Sequence, residues 1–335
     1  MRAMVFDHYG EPDVMSLRDV PVPEPQDDEV LIRVGYAGVN PSDSKARSGE
    51  SARGGYRYRE VRFPFVTGMD AAGIVEQTGS NVTDFRRGDR VVTWSAADGK
   101  TWGSYAEFIR VPARNVAPMP KSLNFGQAAA VPVASLTAFQ SLFHTGKGDL
   151  IPGQKVLIHG AAGGVGSFAA QFAKSAGLLL AATCGTANAE YVRSLGAERV
   201  IDYKTEQVCQ AVRDWSAGGV DVVLDTVGPA TLPKALDMLR SGGRLVNILT
   251  VTADGDMERD RMEAERRGLR KIVTIIDFER AQESMRQITN LIDAGLVHVP
   301  PIDVLQLEDA AQAHRRIDTG HVRGKLVLKV ADLGA

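Results

Sequence analysis

Residues 155–177, KVLIHGAAGGVGSFAAQFAKSAG, contain the residue types and spacing that point most directly to chemistry. An apolar, strand-like segment runs into Ala161-Ala162-Gly163-Gly164-Val165-Gly166, and an alanine-rich helical segment follows. In that context A-x-G-x-x-G predicts a dinucleotide-binding turn. Gly163 lets the backbone approach a pyrophosphate, and Gly166 lets the helix pack close to its strand. The helix start adds N–H groups without intrahelical acceptors and the positive end of a macrodipole. The bland alternative is a tight strand–helix turn that binds nothing.

An NAD-binding chain places an Asp or Glu about 20 residues further on, where it meets the ribose 2′-hydroxyl. Here that count reaches Thr183-Cys184-Gly185-Thr186, with no acid at the strand end. Nothing there repels a 2′-phosphate, so the cofactor expected is NADPH. Thr183, Gly185, Thr186, Asn188 and Tyr203 are its candidate neighbours, although Tyr203 reads equally as a strand end and Asn188 as a helix cap. Asp225-Thr226-Val227-Gly228 closes another strand, the kind of place where ligands of open parallel sheets collect. No Ser/His/Asp triad or carboxylate pair can be argued, and His144 and His159 are expected to be structural.

These residues need a scaffold, and the chain supplies one. KVLIH, LLLAATC, RVIDY, DVVLD, RLVNIL and KIVTII are short apolar runs separated mostly by helical stretches, with Gly177, Gly196, Gly218 and Gly242 as helix closers. That alternation predicts a parallel, doubly wound sheet. KIVTII would be its edge strand, so pairing with a second copy predicts a homodimer. The first 115 or so residues instead read as irregular all-β structure. Residues 124–143 and 279–294 read as helical, the latter stretch closed by Gly295. The terminal GKLVLKV is expected to rejoin the first domain. The stretch from Leu249 to Lys271 has no assignable form.

Composition narrows the function classes. The 335 residues suggest roughly two domains. Lys+Arg 39 against Asp+Glu 41 leaves a net charge of −2, which gives nucleic acid no broad cationic surface. Two cysteines cannot build a disulfide framework. No leader-like start or apolar run long enough for a membrane span is seen, so a soluble, cytoplasmic protein is expected.

With the glycine turn in place, VNPSDSKARSG, PFVTGMDAAGIVEQTGSNVTDFRRGDRVV, AAVPVASLTAFQSLF, VLIHGAAGGVG, LGAERVIDY, DTVG and HVRGKLVL follow in order. The chain thereby resembles the medium-chain dehydrogenase/reductase superfamily, in its quinone oxidoreductase (zeta-crystallin-like) branch. The resemblance implies an α/β fold: a Rossmann doubly wound sheet plus a GroES-like β domain. Residues 1–120 would be the first segment of the GroES-like catalytic domain. Residues 121–278 would bind NADP, and 279–335 would form a helix and return to the catalytic domain. It further implies that Asn40 and Thr137 lie near the nicotinamide, Val227 and Gly228 near the ribose, and Asn247, Ile248 and Leu249 beside the nicotinamide face. Gly324 and Lys325 would lie near the cofactor phosphates. The plainer alternatives are a turn residue before Pro41 for Asn40, a hydroxyl bonded back to its own helix for Thr137, and the start of an exposed strand for Lys325.

The departures matter as much. Zinc alcohol dehydrogenases of this superfamily carry a Cys where this chain has Asn40, and Gly-His-Glu where it has Gly68-Met69-Asp70. Asn and Met are poor zinc ligands, and no four-cysteine lobe is present. Without a metal, the expected reaction is hydride transfer to an already electrophilic small-molecule acceptor, a quinone or an α,β-unsaturated carbonyl. The alternatives are a trans-enoyl thioester reductase and a non-catalytic NADPH-binding structural or regulatory protein. The resemblance also sets residues 45–64 beside the substrate cleft. There Tyr56 and Tyr58 would pack on a planar acceptor while Arg57 and Arg59 attract an anionic one, or the loop is merely solvated.

Overall fold

A computed structural model describes residues 1–53, 61–95, 102–248 and 254–334. The chain divides into two compact units, one of Met1–Val133, Asp277–Ala294 and Val299–Ala335, the other of Ala134–Ile276 and Gly295–His298. The first unit opens with β1 (Arg2–Val5), β2 (Ser16–Asp19), β3 (Glu29–Val39), β4 (Asp70–Thr78), β5 (Arg90–Trp94), β6 (Phe108–Pro112) and β7 (Val116–Pro118). The expected all-β region is interrupted by α1 (Pro41–Ser48) and α2 (Glu50–Arg53), with α3 (Phe125–Ala129) following β7. The start of α1 has a local cause. Pro41 suits a first helical turn, and the Asp43 carboxylate accepts the Asn40 N–H at 2.8 Å.

The chain crosses between the units within α4 (Pro132–Phe143). The second unit then alternates strand and helix: β8 (Lys155–His159), α5 (Gly164–Ser175), β9 (Leu179–Cys184), α6 (Ala189–Ser194), β10 (Arg199–Asp202), α7 (Val208–Ser216) and β11 (Val220–Asp225). β12 (Leu239–Asn247), α8 (Asp254–Arg266) and β13 (Arg270–Val273) complete it. All strand pairs are parallel, in the order β10-β9-β8-β11-β12-β13. This is the doubly wound order whose switch point, between β8 and β11, collects ligands. Val156, Leu157, Ile158, Val222, Val223 and Leu224 are fully buried. That explains continuous apolar runs in place of alternation. α5 covers the sheet with Phe168 and Phe172, stacked at 6.1 Å. Three details differ from expectation. Ala217, not Gly218, takes the left-handed position that closes α7. Gly242 closes no helix, but sits at positive φ inside β12. The polar 249–271 stretch contains α8, which had no apolar stripe to announce it.

The chain returns to the first unit as α9 (Ala281–Asp293), β14 (Ile302–Gln306), α10 (Ala310–Asp318) and β15 (Lys325–Lys329). Its larger sheet runs β14-β15-β3-β4-β5-β7, with β6 also on β3. β3 is long enough to pair β6 through Glu29–Arg33 and β15 through Tyr36–Val39. The inward faces build a core containing Ile32, Val34, Val75, Val91, Tyr105, Ile109, Leu326 and Leu328. Among the described residues, no helix is long and apolar enough to cross a membrane.

Leu328, wholly buried in the middle of this sheet, tests how far the terminal strand shares the unit's cooperativity. Leu328→Ala is expected to cost roughly 2–5 kcal/mol through lost burial and the cavity left behind. Urea unfolding should show a lower midpoint at unchanged slope. An unmoved midpoint would place β15 outside the cooperative unit.

Candidate functional site

In the second unit the glycine-rich turn forms where β8 ends. Gly160 has φ +79°, and a Cβ there would lie 2.5 Å from Val227 Cγ2. Gly160 was missed because the motif was started at Ala161; its signal is a left-handed turn residue directly after a buried strand. A Cβ on Gly166 would meet the Gly160 carbonyl oxygen at 2.3 Å, so the helix–strand contact expected of Gly166 is present. Gly163 differs: a Cβ there would find only the Gly160 carbonyl oxygen, at 3.6 Å. The protein does not use that space, and the N–H groups of Gly164 and Val165 stand at the start of the twelve-residue α5. An anionic pyrophosphate fits this cradle. Ala161 and Ala162 are buried beneath it.

The ends of β9 and β10 correct part of the cofactor expectation. Thr183 is wholly buried. Its hydroxyl oxygen accepts the Gly160 N–H at 3.1 Å and lies 2.7 Å from His159 Nδ1, so it is not available to a phosphate. The acid absent from β9 arrives from its neighbour. Asp202 at the end of β10 accepts hydrogen bonds from the Thr186 hydroxyl and the Lys204 N–H, and these hold its carboxyl below the usual range. Thr186 is therefore engaged, although exposed. What remains open is a small polar group around Gly185. A Cβ on Gly185 would lie 3.2 Å from the Tyr203 hydroxyl and 3.5 Å from Lys204 Cε. Tyr203 is 45% exposed, and Asn188 donates its N–H to the Gly185 carbonyl at 2.8 Å. Lys204 was missed because its relevance depends on β10 lying beside β9.

At the ends of β11 and β12, Asp225 is buried and organises the turn. Its carboxylate accepts the Val227 and Gly228 N–H groups at 3.0 and 2.9 Å and the Asn247 Nδ2 at 2.8 Å. Val227 is 41% exposed, while Asn247 is buried with its Oδ1 unpartnered among the described residues. Ile248 donates its N–H to the Asp225 carbonyl at 3.1 Å. Thr137 lies part-exposed on α4. Leu249, Tyr56, Arg57, Tyr58 and Arg59 lie outside the described residues. Of the 45–64 stretch expected as a loop, residues 45–48 belong to α1 and 50–53 to α2, and Arg47 is no surface charge. It is buried, and its guanidinium reaches the Gly10 carbonyl, Ser44 and Asp318.

The first unit holds a different constellation. Lys325 is buried, and its Nζ donates to the Val39 carbonyl at 2.9 Å and to Asn40 Oδ1 at 2.6 Å, with Asp70 Oδ2 at 3.4 Å. Its ammonium is spent inside this unit, so the expected phosphate contact has no free donor behind it. Gly324 is likewise a packing residue, since a Cβ there would lie 2.0 Å from the Pro301 carbonyl oxygen. Asn40 Nδ2 donates to Asp70 Oδ2 at 2.8 Å, and Asp70 Oδ1 accepts the Val133 N–H at 2.8 Å. Asn40 is thus gripped at both ends of its carboxamide. Burial pushes Asp70 upward, and Lys325, Asn40 and Val133 pull it back. Burial also pushes Asp43 up to about 7. Tyr105 donates to Asp43 at 3.4 Å, and His314 Nε2 lies 3.2 Å from the Tyr105 hydroxyl.

This donor set does not suit zinc. It offers an amide and a carboxylate, and the chain's own ammonium already sits between them. Met69 Sδ accepts the Ser42 hydroxyl at 3.2 Å. Among the described residues, no three His, Cys, Asp or Glu side chains gather as a metal site.

Two family models match the chain: an alcohol dehydrogenase GroES-like domain over residues 26–121 and a zinc-binding dehydrogenase model over residues 195–328. A quinone oxidoreductase from Rattus norvegicus is 35% identical, covering 97% of this chain and 96% of its own length. An NADPH-dependent alkenal/one oxidoreductase from Arabidopsis thaliana is 33% identical over 98% of this chain and 79% of its own. The Escherichia coli quinone oxidoreductase, solved in complex with NADPH, superimposes with a TM-score of 0.84 at 28% identity, covering 98% of this chain and 100% of that one.

Asp43 generates a pH prediction. Folded Asp43 keeps its proton up to about 7, whereas an unfolded aspartate loses it near about 3.9. Between those values the folded state binds the extra proton, so this group's contribution to stability falls as pH rises through that window. Asp43→Asn retains an acceptor for the Asn40 N–H and cannot titrate. Urea unfolding across the window should show a flatter pH dependence for the variant; parallel curves would remove Asp43 from the account.

Proposed function

Because the chain belongs to the medium-chain dehydrogenase/reductase superfamily, in its quinone oxidoreductase branch, we propose that it uses NADPH, without zinc, to reduce quinones or α,β-unsaturated carbonyls. It is an NAD(P)H-dependent oxidoreductase of the quinone/enone reductase type. The observation that carries the cofactor reading is the unfilled space at Gly163, set between two glycines whose own Cβ positions are blocked. In this reading the N–H groups of Gly164 and Val165 hold the pyrophosphate. Val227 and Gly228 border the ribose, and Asn247 Oδ1 accepts from the nicotinamide carboxamide. Ile248 lines the same strand end. Once bound, the reduced nicotinamide supplies a hydride, which suits acceptors that are electrophilic without a Lewis acid.

The chain's own residues do the rest. Asn40 is the proposed oxygen-binding donor of the first unit: Lys325 and Asp70 fix its carboxamide so that the second Nδ2 hydrogen is free to stabilise charge developing on an acceptor oxygen. Thr137 is the second proposed catalytic group. A homodimer paired along the β13 edge belongs to the same reading, since β13 ends the sheet.

The test is an acceptor panel of quinones, enones, a trans-2-enoyl thioester and a simple ketone, run with NADPH in the presence of a strong chelator. Turnover is expected with quinones or enones and absent with the ketone. NADPH binding without turnover on any acceptor, or loss of activity to the chelator, would overturn the proposal. Preference for NADPH rests on Lys204 and Tyr203. Lys204→Ala is expected to weaken NADPH binding about tenfold, as losing one charge-assisted hydrogen bond would. Its NADH affinity should change little. Equal losses for both cofactors would place Lys204 away from the 2′-phosphate.

A further inference from the structure

Where β8, β9 and β11 end, one imidazole is bonded at both ring nitrogens. His159 is 3% exposed. Its Nδ1 lies 2.7 Å from Thr183 Oγ1, and its Nε2 2.9 Å from Thr231 Oγ1. The outer partners settle where the protons are. The Thr231 hydroxyl donates to the Gly228 carbonyl at 2.8 Å, so its oxygen accepts from the ring and Nε2 carries hydrogen. Thr183 Oγ1 already accepts the Gly160 N–H at 3.1 Å, which leaves its own proton for a bare Nδ1. The result is one directed chain from the Gly160 amide through Thr183, His159 and Thr231 to the Gly228 carbonyl. Only neutral imidazole completes it. An imidazolium would aim a second donor at Thr183 and strand the Thr183 proton.

The members of this chain are the turns around the nucleotide cradle. Gly160 opens the glycine-rich turn, Thr183 stands two residues before Gly185, and Gly228 closes the loop after β11. We propose that His159 is a positioning residue for the dinucleotide: as neutral imidazole it holds these three turns as one frame, against which phosphates and ribose are seated. The inference rests on the dinucleotide reading of the turn.

The groups facing the ring agree with a neutral state. Asp225, registered opposite His159 on β11, favours the imidazolium, but burial outweighs it and holds His159 below its ordinary value. Because the frame needs the neutral ring, cofactor binding should weaken as pH falls below the ordinary histidine range of about 6.5.

The experiment is fluorescence titration of the full chain with NADH, which lacks the 2′-phosphate and its own ionisation, from about pH 5 to about pH 8. Wild-type Kd should rise on the acid side. His159→Gln keeps a donor and an acceptor but cannot titrate. It should bind within about threefold of wild type at neutral pH and lose the acid limb. Thr231 is exposed, so Thr231→Val leaves the core intact. It should weaken NADH about fivefold, with the kinetic effect falling on the cofactor KM, and Thr231→Ser should restore binding. An acid limb unchanged in His159→Gln, or wild-type binding by Thr231→Val, overturns the proposal. If His159→Gln does not fold, the Thr231 pair decides alone. A wild-type chain that binds neither NADH nor NADPH fails the dinucleotide reading along with this one, whereas binding indifferent to the variants fails only this one.

Discussion

The first unit depends on a cation that has no water. Lys325 is almost wholly buried, and its ammonium must find acceptors or cost several kcal/mol in lost hydration. It finds the end of β3 through the Val39 carbonyl, the start of α1 through Asn40, and the first residue of β4 through Asp70. Asp70 in turn reaches the Val133 N–H at the start of α4. A buried ion pair is poor at adding stability, because desolvation offsets the attraction. It is good at punishing misplacement, since every partner that drifts leaves a charge exposed to apolar surroundings. The position of Asn40 is therefore set by electrostatics more than by packing.

The second unit solves its polar problem in the opposite way. Its buried histidine carries no charge and hands hydrogen bonds along a line, and its carboxylate at Asp225 is spent on backbone N–H groups and one amide. The polar groups left over face outward at the strand ends: the N–H groups opening α5, the Tyr203 hydroxyl and the Lys204 side chain. One unit spends the Lys325 ammonium on its own oxygens, and the other keeps a set of donors in reserve at one edge of the sheet.

Local patterns were legible in the sequence, and contacts between distant segments were not. The inner strands β8, β9 and β11 could be read because they are buried on both faces and so read as short apolar runs. Gly166 could be read because a helix cannot approach its strand over a side chain. Thr183 was misassigned because a threonine at a strand end looks the same whether it faces solvent or an imidazole. Asp202 and Lys204 matter at Gly185 only once β10 is known to flank β9. Lys325 is 286 residues from the carbonyl it serves, and no spacing rule spans that distance. Helix α8 was unreadable for another reason: a helix announces itself by an apolar stripe, and this one is mostly charged.

The place of β15 carries a consequence for how the molecule is made. This strand lies inside the sheet, with β14 on one side and β3 on the other. On a ribosome, β3 is finished while its partner is still 286 residues away. The nucleotide-type sheet, in contrast, has all its strands between residues 155 and 273, and can close as soon as they emerge. Order of synthesis and order of completion are thus inverted: the segment made first is completed last. Through that interval an unpaired β3 edge and the acids at 43 and 70 wait without their lysine. That interval is when the chain is most open to pairing with the wrong strand.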